Sequence, residues 1–517
     1  MSSMTIDHTN HTNDTAAWIR QAVPAGQLAS DSRRIAAGDV FFAYPGDAGD
    51  GRAYIGAAIA QGAAAVVYDS DAFAWDAGWN VPHLAVPGLK KLAGPIAHAC
   101  YAMPDRAMFT VGVTGTNGKT SCAVWLGQAL SRLGDAAAVI GTLGVGLFRA
   151  RGEAEFDATG YTTPDAVLLA QKLAAVRDAG ATALAIEVSS IGLDQQRAAG
   201  MHFDVALLTN LTRDHLDYHG DLAAYEAAKA RLFDWPGLKT AVVNLDDAMG
   251  LRLVERLRGS GVAVTGYTLG DAAAVPDMAG VSVLRASQLR SGRQGGTEFH
   301  LESPHGAALV KTQLVGHFNI SNALAVLGAL LAKGVALRAA LDAIEALTPA
   351  PGRMQQVGGN DAPLIVIDYA HTPDALEKTL DTLRQVAQER GGALWCVFGC
   401  GGDRDPGKRP QMGAIAQRAD HVLVTSDNPR SEEPNAIIAQ IVAGMDAQHP
   451  SSSLQTVEDR AGAILLAIKH AAKPDVILLA GKGHEPYQEI KGRKMPFSDA
   501  DHAQLALSAR LTMMRTN

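Results

Sequence analysis

The chain has 517 residues, 47% of them apolar, a net charge of -8 and four cysteines. That length predicts about three domains of ~150 residues each, and the acidic balance gives no general electrostatic drive toward nucleic acid. Cys100, Cys122, Cys396 and Cys400 are too few and scattered for a disulfide scaffold, which predicts reduced thiols in a soluble cytoplasmic protein.

Residues 1–15 are polar, rich in Thr, Asn and His, and lack a basic start followed by an apolar core. They read as a loose tail and not as a signal peptide. Residues 16–106 carry the strand-like Val40-Phe-Phe-Ala-Tyr44, a helical stretch from Ala53 to Gln61 and a second strand, Ala64-Ala-Val-Val-Tyr68. This predicts a small α/β domain ending near Pro104-Asp105. Residues 107–349 begin with Phe109-Thr-Val-Gly-Val-Thr114 and continue through Ala137 to Ile140, Ala183 to Glu187, Val205 to Thr209 and Thr240 to Asn244. Strand-like and helix-like segments alternate, which predicts a parallel sheet with crossover helices. The less regular part from Leu269 to Gly306 reads as hairpins or loops. A helical run from Asn319 to Leu347 holds the most apolar stretch, Ala323 to Ala332, which ends at Lys333 and is too short to cross a membrane. Thr348-Pro-Ala-Pro-Gly352 marks a boundary. Residues 350–517 form a third α/β unit on Leu364 to Asp368, Leu394 to Phe398, His421 to Thr425 and Val476 to Ala480.

Residues 109–121 constrain function most. A β-branched run ends in Gly115-Thr116-Asn117-Gly118-Lys119-Thr120, and a helix-forming segment follows. Glycines let backbone N–H groups turn inward around a polyphosphate, and the helix start favours negative charge. Lys119 then reaches the terminal phosphates and the Thr120 hydroxyl faces a magnesium ion. The full Walker spacing asks for glycine where Val113 stands, so only the shorter form is present.

Polar residues at strand ends are where α/β sheets place chemistry. Glu187-Val-Ser-Ser190 follows one strand, and Asn210 to His219 follows another. Glu187, His215 and Thr120 are candidates to share divalent ions, and oxygen donors with an occasional imidazole point to magnesium or manganese before zinc. Taken alone, His215 reads as a hydrogen-bonded loop residue. In the third unit, Asp368 to Asp374, Gly399 to Arg404, Asp427-Asn428-Pro429-Arg430 and Ala480 to Glu485 each follow a strand and should gather along one sheet edge.

The string Thr-Gly-Thr-Asn-Gly-Lys-Thr, Glu-Val-Ser-Ser, Thr-Arg-Asp-His-Leu-Asp-Tyr-His-Gly and Asp-Tyr-Ala-His-Thr-Pro-Asp-Ala-Leu resembles the Mur ligase family, the ATP-dependent amide ligases of bacterial cell-wall precursor synthesis. The resemblance runs from about Ser30 to about Asp501. It implies a central P-loop ATPase-type sheet flanked by a UDP-sugar-binding N-terminal α/β domain and a Rossmann-like C-terminal domain that binds an amino acid. The order of motifs resembles the member that adds the third residue of the stem peptide, and Asp427-Asn428-Pro429-Arg430 is similar to the turn that accompanies meso-2,6-diaminopimelate in place of L-lysine.

The resemblance implies that ATP phosphorylates the D-glutamyl carboxylate of UDP-N-acetylmuramoyl-L-alanyl-D-glutamate and that the amine of diaminopimelate attacks the acyl phosphate. It assigns Thr120, Glu187 and His215 to Mg2+, with Lys119 on ATP and Lys229 as the family's carbamylated lysine, a further metal ligand. Read without the resemblance, Lys229 is a solvated helix lysine. Asn319, Asn322, Arg353 and Asp368 fall to the nucleotide, with helix capping and a surface cation as their plainer readings. Ser30, Ser32, Thr162, Thr163, Ser189, Gln195 and Arg197 fall to the UDP substrate; Tyr161 departs from a commoner Asn, and Asp47-Ala48-Gly49 from a commoner His-Gln loop. Arg404 and Arg430 offer planar forks for the distal carboxylate of diaminopimelate, while Asp427, Asn428 and Glu485 suit its ammonium. Pro429 restrains Asn428, and Gly481 allows close backbone approach. No nucleic-acid or membrane partner is implied, and a monomer is expected. Folylpolyglutamate synthetase, which shares the loop and the acyl-phosphate chemistry, and a non-catalytic ATP-driven switch are the alternatives; the Asp-Asn-Pro-Arg turn and the first domain weigh against them.

Overall fold

Runs such as Val40–Ala43, Phe109–Thr114 and Leu364–Asp368 are apolar over nearly every residue and become strands covered on both faces. In the computed structural model these runs build three main sheets. The structure describes residues 8–47, 49–150, 154–270, 280–291, 296–359, 361–446 and 453–516.

The first sheet is parallel, in the order Leu28–Ala29, Val40–Ala43, Ala65–Asp69, His83–Val86. The expected loose tail is corrected in part. Helix His8–Ala22 spans much of it, buries Thr15, Ala16 and Ile19, and packs on helix Leu89–Cys100. Tertiary burial of one short apolar stripe holds a helix whose polar first turns give little sign of it. Residues 1–7 and Ala48 lie outside the described residues.

The central sheet has eleven strands, parallel in its middle and antiparallel at both ends. The irregular region after Leu269 resolves, in its described part, into strands Val281–Ser291 and Thr297–Ser303, which pair antiparallel and continue to Gly306–Thr312. Strand Phe109–Thr114 lies between Val205–Leu208 and Ala183–Glu187. The loop that follows is therefore flanked by Glu187 on one side and by Thr209-Asn210 on the other. Helices Lys119–Arg132 and His317–Ala332 cover one face with a large apolar core. Trp125 Nε1 donates to Thr348 O at 2.9 Å, which pins the chain as it leaves this domain.

The third sheet has six strands in the order Gln355–Gly358, Leu364–Asp368, Val476–Ala480, Leu394–Phe398, His421–Thr425, Ser453–Val457. All but the first pairing are parallel, so the turns after Asp368, Phe398, Thr425 and Ala480 emerge at one edge, as expected. No described helix is long and apolar enough to cross a membrane.

Candidate active site

The loop after strand Phe109–Thr114 is shaped by contacts that only glycine permits. Gly115 has φ +145°, and a Cβ there would lie 1.8 Å from Thr209 Oγ1; Gly118 has φ +88°, and a Cβ would lie 2.6 Å from Asn322 Oδ1. Thr116 N donates to Asn210 O at 2.8 Å, and Asn117 N to Asn210 Oδ1 at 3.0 Å. Helix Lys119–Arg132 begins at the loop. Lys119 Nζ turns back to Gly115 O (2.9 Å) and Thr116 O (2.8 Å), so the cradle is closed on its own lysine.

The other candidate residues surround this lysine. The buried Thr120 Oγ1 accepts from Arg353 Nη2 at 3.2 Å, and the Arg353 guanidinium lies 4.5 Å from the Tyr369 ring centre. Arg353 is thus no free surface cation. Glu187, 1% exposed, accepts from Thr142 N (2.8 Å) and Thr142 Oγ1 (3.2 Å). His215 is exposed in the left-handed region (φ +53°), with Nε2 3.5 Å from Asp214. His215, His371 and Lys119 hold the Asp214 carboxyl below its ordinary value against its own burial.

Lys229 corrects its plainer reading. It is 1% exposed, donates to Gly115 O at 2.8 Å and lies 4.3 Å from the Tyr225 ring centre. Burial, reinforced by Lys119, pushes its amine well below the usual lysine range. Burial lowers Lys119 too, offset by Glu187 and Asp214. Among the described residues no three His, Cys, Asp or Glu gather as for a metal; the candidate ligands instead hold the partners just named.

On the nucleotide side, Asn319 and Asn322 are buried in helix His317–Ala332. Asn322 faces Gly118, whereas Asn319 Nδ2 donates to Val315 O at 2.8 Å, a local bond near the helix start. Asp368 Oδ2 accepts from Met354 N at 2.8 Å, and burial raises its pKa.

The turns of the third sheet converge as a polar cluster. Asn428 Nδ2 donates to Glu485 Oε2 at 2.7 Å, and the fully buried Lys482 reaches both Asn428 Oδ1 (3.0 Å) and Glu485 Oε2 (3.1 Å). Arg430 sits at φ +51° after Pro429; its Nη1 donates to Gly402 O at 2.7 Å and its Nε lies 3.5 Å from Glu489. Asp427 is buried against Gly481. Arg404, by contrast, is exposed and donates to the neighbouring Asp403 O at 3.0 Å.

Family models match in three consecutive stretches: the Mur ligase family catalytic domain over residues 27–101, the Mur ligase middle domain over 113–330 and the Mur ligase glutamate ligase domain over 352–483. A UDP-N-acetylmuramoyl-L-alanyl-D-glutamate–2,6-diaminopimelate ligase of Janthinobacterium sp. (strain Marseille) is 66% identical over 96% of both chains, and one of Ralstonia nicotianae is 54% identical over 95% of both. A solved structure of a ligase of that name is 35% identical, with TM-score 0.63, and covers 94% of this chain and 95% of its own. The chain belongs to the Mur ligase family. As a Mur ligase it is an ATP-dependent, amide-forming enzyme with the three-domain α/β fold.

Of the residues that the resemblance gives to the UDP substrate, Ser30 and Ser32 lie in the first domain and the others in the middle one. Ser30 Oγ donates to Asp165 Oδ1 at 2.7 Å, joining the N-terminal domain to the middle one. Ser32 opens a short 3-10 turn capped by Asp31. Thr163 Oγ1 bonds Glu187 O (2.9 Å) and Ser189 Oγ (3.1 Å), and Thr162 Oγ1 meets Thr142 Oγ1 at 3.1 Å. Arg197 is held by Gln195 Oε1 and Thr163 O, and its guanidinium lies 5.5 Å from the ring centre of Tyr161. The tyrosine that departs from the commoner Asn thus backs Arg197.

Two residues that brace the polar cluster of the third sheet, Lys482 and Arg409, escaped the sequence reading. Lys482 lies inside Gly481-Lys-Gly483, a turn the sequence marks, and a cation between two glycines at a strand end was a usable signal. Arg409, 1% exposed, pairs with Glu432 at 2.8 Å and holds Gly401 O at 3.1 Å. No local pattern sets it apart from the neighbouring Lys408.

Proposed function

We propose that this Mur ligase joins meso-2,6-diaminopimelate to the D-glutamyl carboxylate of UDP-N-acetylmuramoyl-L-alanyl-D-glutamate, at the expense of ATP. The observation that carries the reading is the braced Asn428–Lys482–Glu485 cluster with Arg430 beside it, in a chain 66% identical to a ligase named for those substrates. The substrate carboxylate oxygen attacks the γ-phosphorus and ADP leaves, giving an acyl phosphate. The amine of diaminopimelate then adds to the carbonyl carbon, loses a proton, and the tetrahedral intermediate expels phosphate as the amide forms.

The first step brings two anions together, so fixed positive charge and positioning carry it. Lys119 leaves the carbonyls of Gly115 and Thr116 for the phosphates, and the loop N–H groups around Gly115 and Gly118 approach them closely. Ser30, Ser32, Thr162, Thr163, Ser189, Gln195 and Arg197 bind the UDP-dipeptide at the junction of the first two domains. Arg430 takes the distal carboxylate of diaminopimelate, with Arg404 as a second, solvent-side donor; Asp427, Asn428 and Glu485 take its ammonium.

Hydroxyl, carboxylate and imidazole with no thiolate is a donor set that fits magnesium. Thr120, Glu187 and His215 would hold it, and it supplies charge neutralisation of the phosphates. The neutral, buried amine of Lys229 is the form to which carbon dioxide adds, which supports its modification to a carbamate that adds an anionic oxygen beside this set. The three domains form one site within a monomer, acting in the cytoplasm where ATP is held. ATP-dependent phosphate release, measured with the UDP-dipeptide and either diaminopimelate, lysine or no amino acid, tests the reading. Release is expected with diaminopimelate and not with lysine; release dependent on a folate acceptor overturns it.

A further inference from the structure

Asn117 is a loop residue bonded from two domains. Its carbonyl accepts from Thr209 Oγ1 (2.6 Å) and Asn210 Nδ2 (3.1 Å), both at the end of the adjacent central strand. Its side-chain Nδ2 donates to Asp374 Oδ2 of the C-terminal domain at 3.2 Å and lies 3.5 Å from Thr212 Oγ1 of its own domain. Asp374 stands in the first turn of helix Pro373–Arg390, whose N-cap is Thr372.

The segment leading to Asp374 is fixed before it meets the loop. Asp368 accepts from Met354 N at 2.8 Å, His371 Nδ1 bonds Tyr369 O at 2.8 Å, and Lys408 Nζ donates to His371 O at 2.9 Å. Pro373 restrains the helix start. Lys378, one helical turn on, lies 3.0 Å from the Asp374 carboxylate and offsets its charge. Of the contacts of Asp374, the bond to Asn117 is the one that crosses from the C-terminal domain to the phosphate loop.

We propose that Asp374 is a positioning residue for ATP, which holds Asn117 from the C-terminal domain and so ties the shape of the phosphate loop to the position of that domain. This rests on the reading of the loop as the ATP site. Asp374 touches no reacting atom; it acts through Asn117, whose own backbone lines the cradle.

The test uses the full-length enzyme and the diaminopimelate-dependent phosphate-release assay with ATP varied. Asp374→Ala is expected to raise the KM for ATP about tenfold or more, the size of one hydrogen bond to a charged group, with the KM for diaminopimelate unchanged. Asp374→Asn keeps an acceptor oxygen and is expected to stay near the wild type. Asn117→Ala also raises the KM for ATP, and adding Asp374→Ala to it is expected to cost nothing more, since the bond between the two is already gone. The Asp374 side chain is 30% exposed, so thermal unfolding should not move. A wild-type KM for ATP in Asp374→Ala, or effects that multiply in the double variant, overturns the proposal. Absence of diaminopimelate-dependent release by the wild type overturns the functional reading instead; calorimetric ATP binding by the same variants then still decides the role of Asp374.

Discussion

At the carboxyl end of the central sheet, Lys119 and Lys229 are amines packed where their charge is disfavoured, and both turn to the Gly115 carbonyl. At the amino end of the same sheet the opposite holds. His202 lies between two carboxylates, Nδ1 2.9 Å from Asp105 and Nε2 3.5 Å from Asp204. Asp105 also meets the fully buried His98 at 3.1 Å, and Asp204 takes Thr110 N (2.9 Å) and Lys239 (2.7 Å). Side-chain bonds from Asp105 and Asp204 raise His202 to about 9; these pairings hold both carboxyls far below their ordinary values despite burial. One end packs amines around the Gly115 turn where their charge is disfavoured, while the other uses paired charge to join the N-terminal domain to the sheet. The difference separates catalysis from stability within a single layer.

Four changes break or sharpen that contrast. Lys119→Ala is expected to have the largest effect, a loss of about a hundredfold or more in kcat, read in the phosphate-release assay, with denaturant stability kept. Arg430→Ala should raise the KM for diaminopimelate by about tenfold to a hundredfold, as a charge-assisted bond to carboxylate is lost, and leave that for ATP alone. Asp105→Ala should do the reverse. It strands His98 and His202 without their shared partner and is expected to cost about 3 kcal/mol of stability in urea unfolding, with the KM for ATP unchanged. The smallest effect is in pH. Because the folded pKa of His202 lies above the ordinary value of 6.5, its contribution is complete below pH 6.5 and is lost as pH rises through about 9. Stability of the wild type should therefore fall across that window, and His202→Ala should flatten the fall. Equal slopes in the two proteins would remove His202 from the account.

The loop was legible because everything that makes it is local: a β-branched strand, glycines that alone accept the required φ, and a helix start within twelve residues. The Asp427–Arg430 turn was legible as a turn for the same reason, Pro429 and Arg430 being neighbours at a strand end. Lys229 was not. Its helix, Leu222–Ala230, shows polar and apolar residues without saying that Tyr225 and the Gly115 turn close over the amine. The helix that replaces most of the expected tail escaped notice likewise, because its burial comes from a partner helix more than seventy residues away.

Sequence alone thus determined the α/β class, the glycine-rich loop and the family, all properties carried by short runs with a fixed backbone meaning. Tertiary structure decided which amines lose their charge, that Asp374 reaches Asn117 across 257 residues, and that His98, Asp105, His202 and Asp204 form one network. Those outcomes depend on burial and on distances between remote segments, and charge in a protein is set by what surrounds it in space.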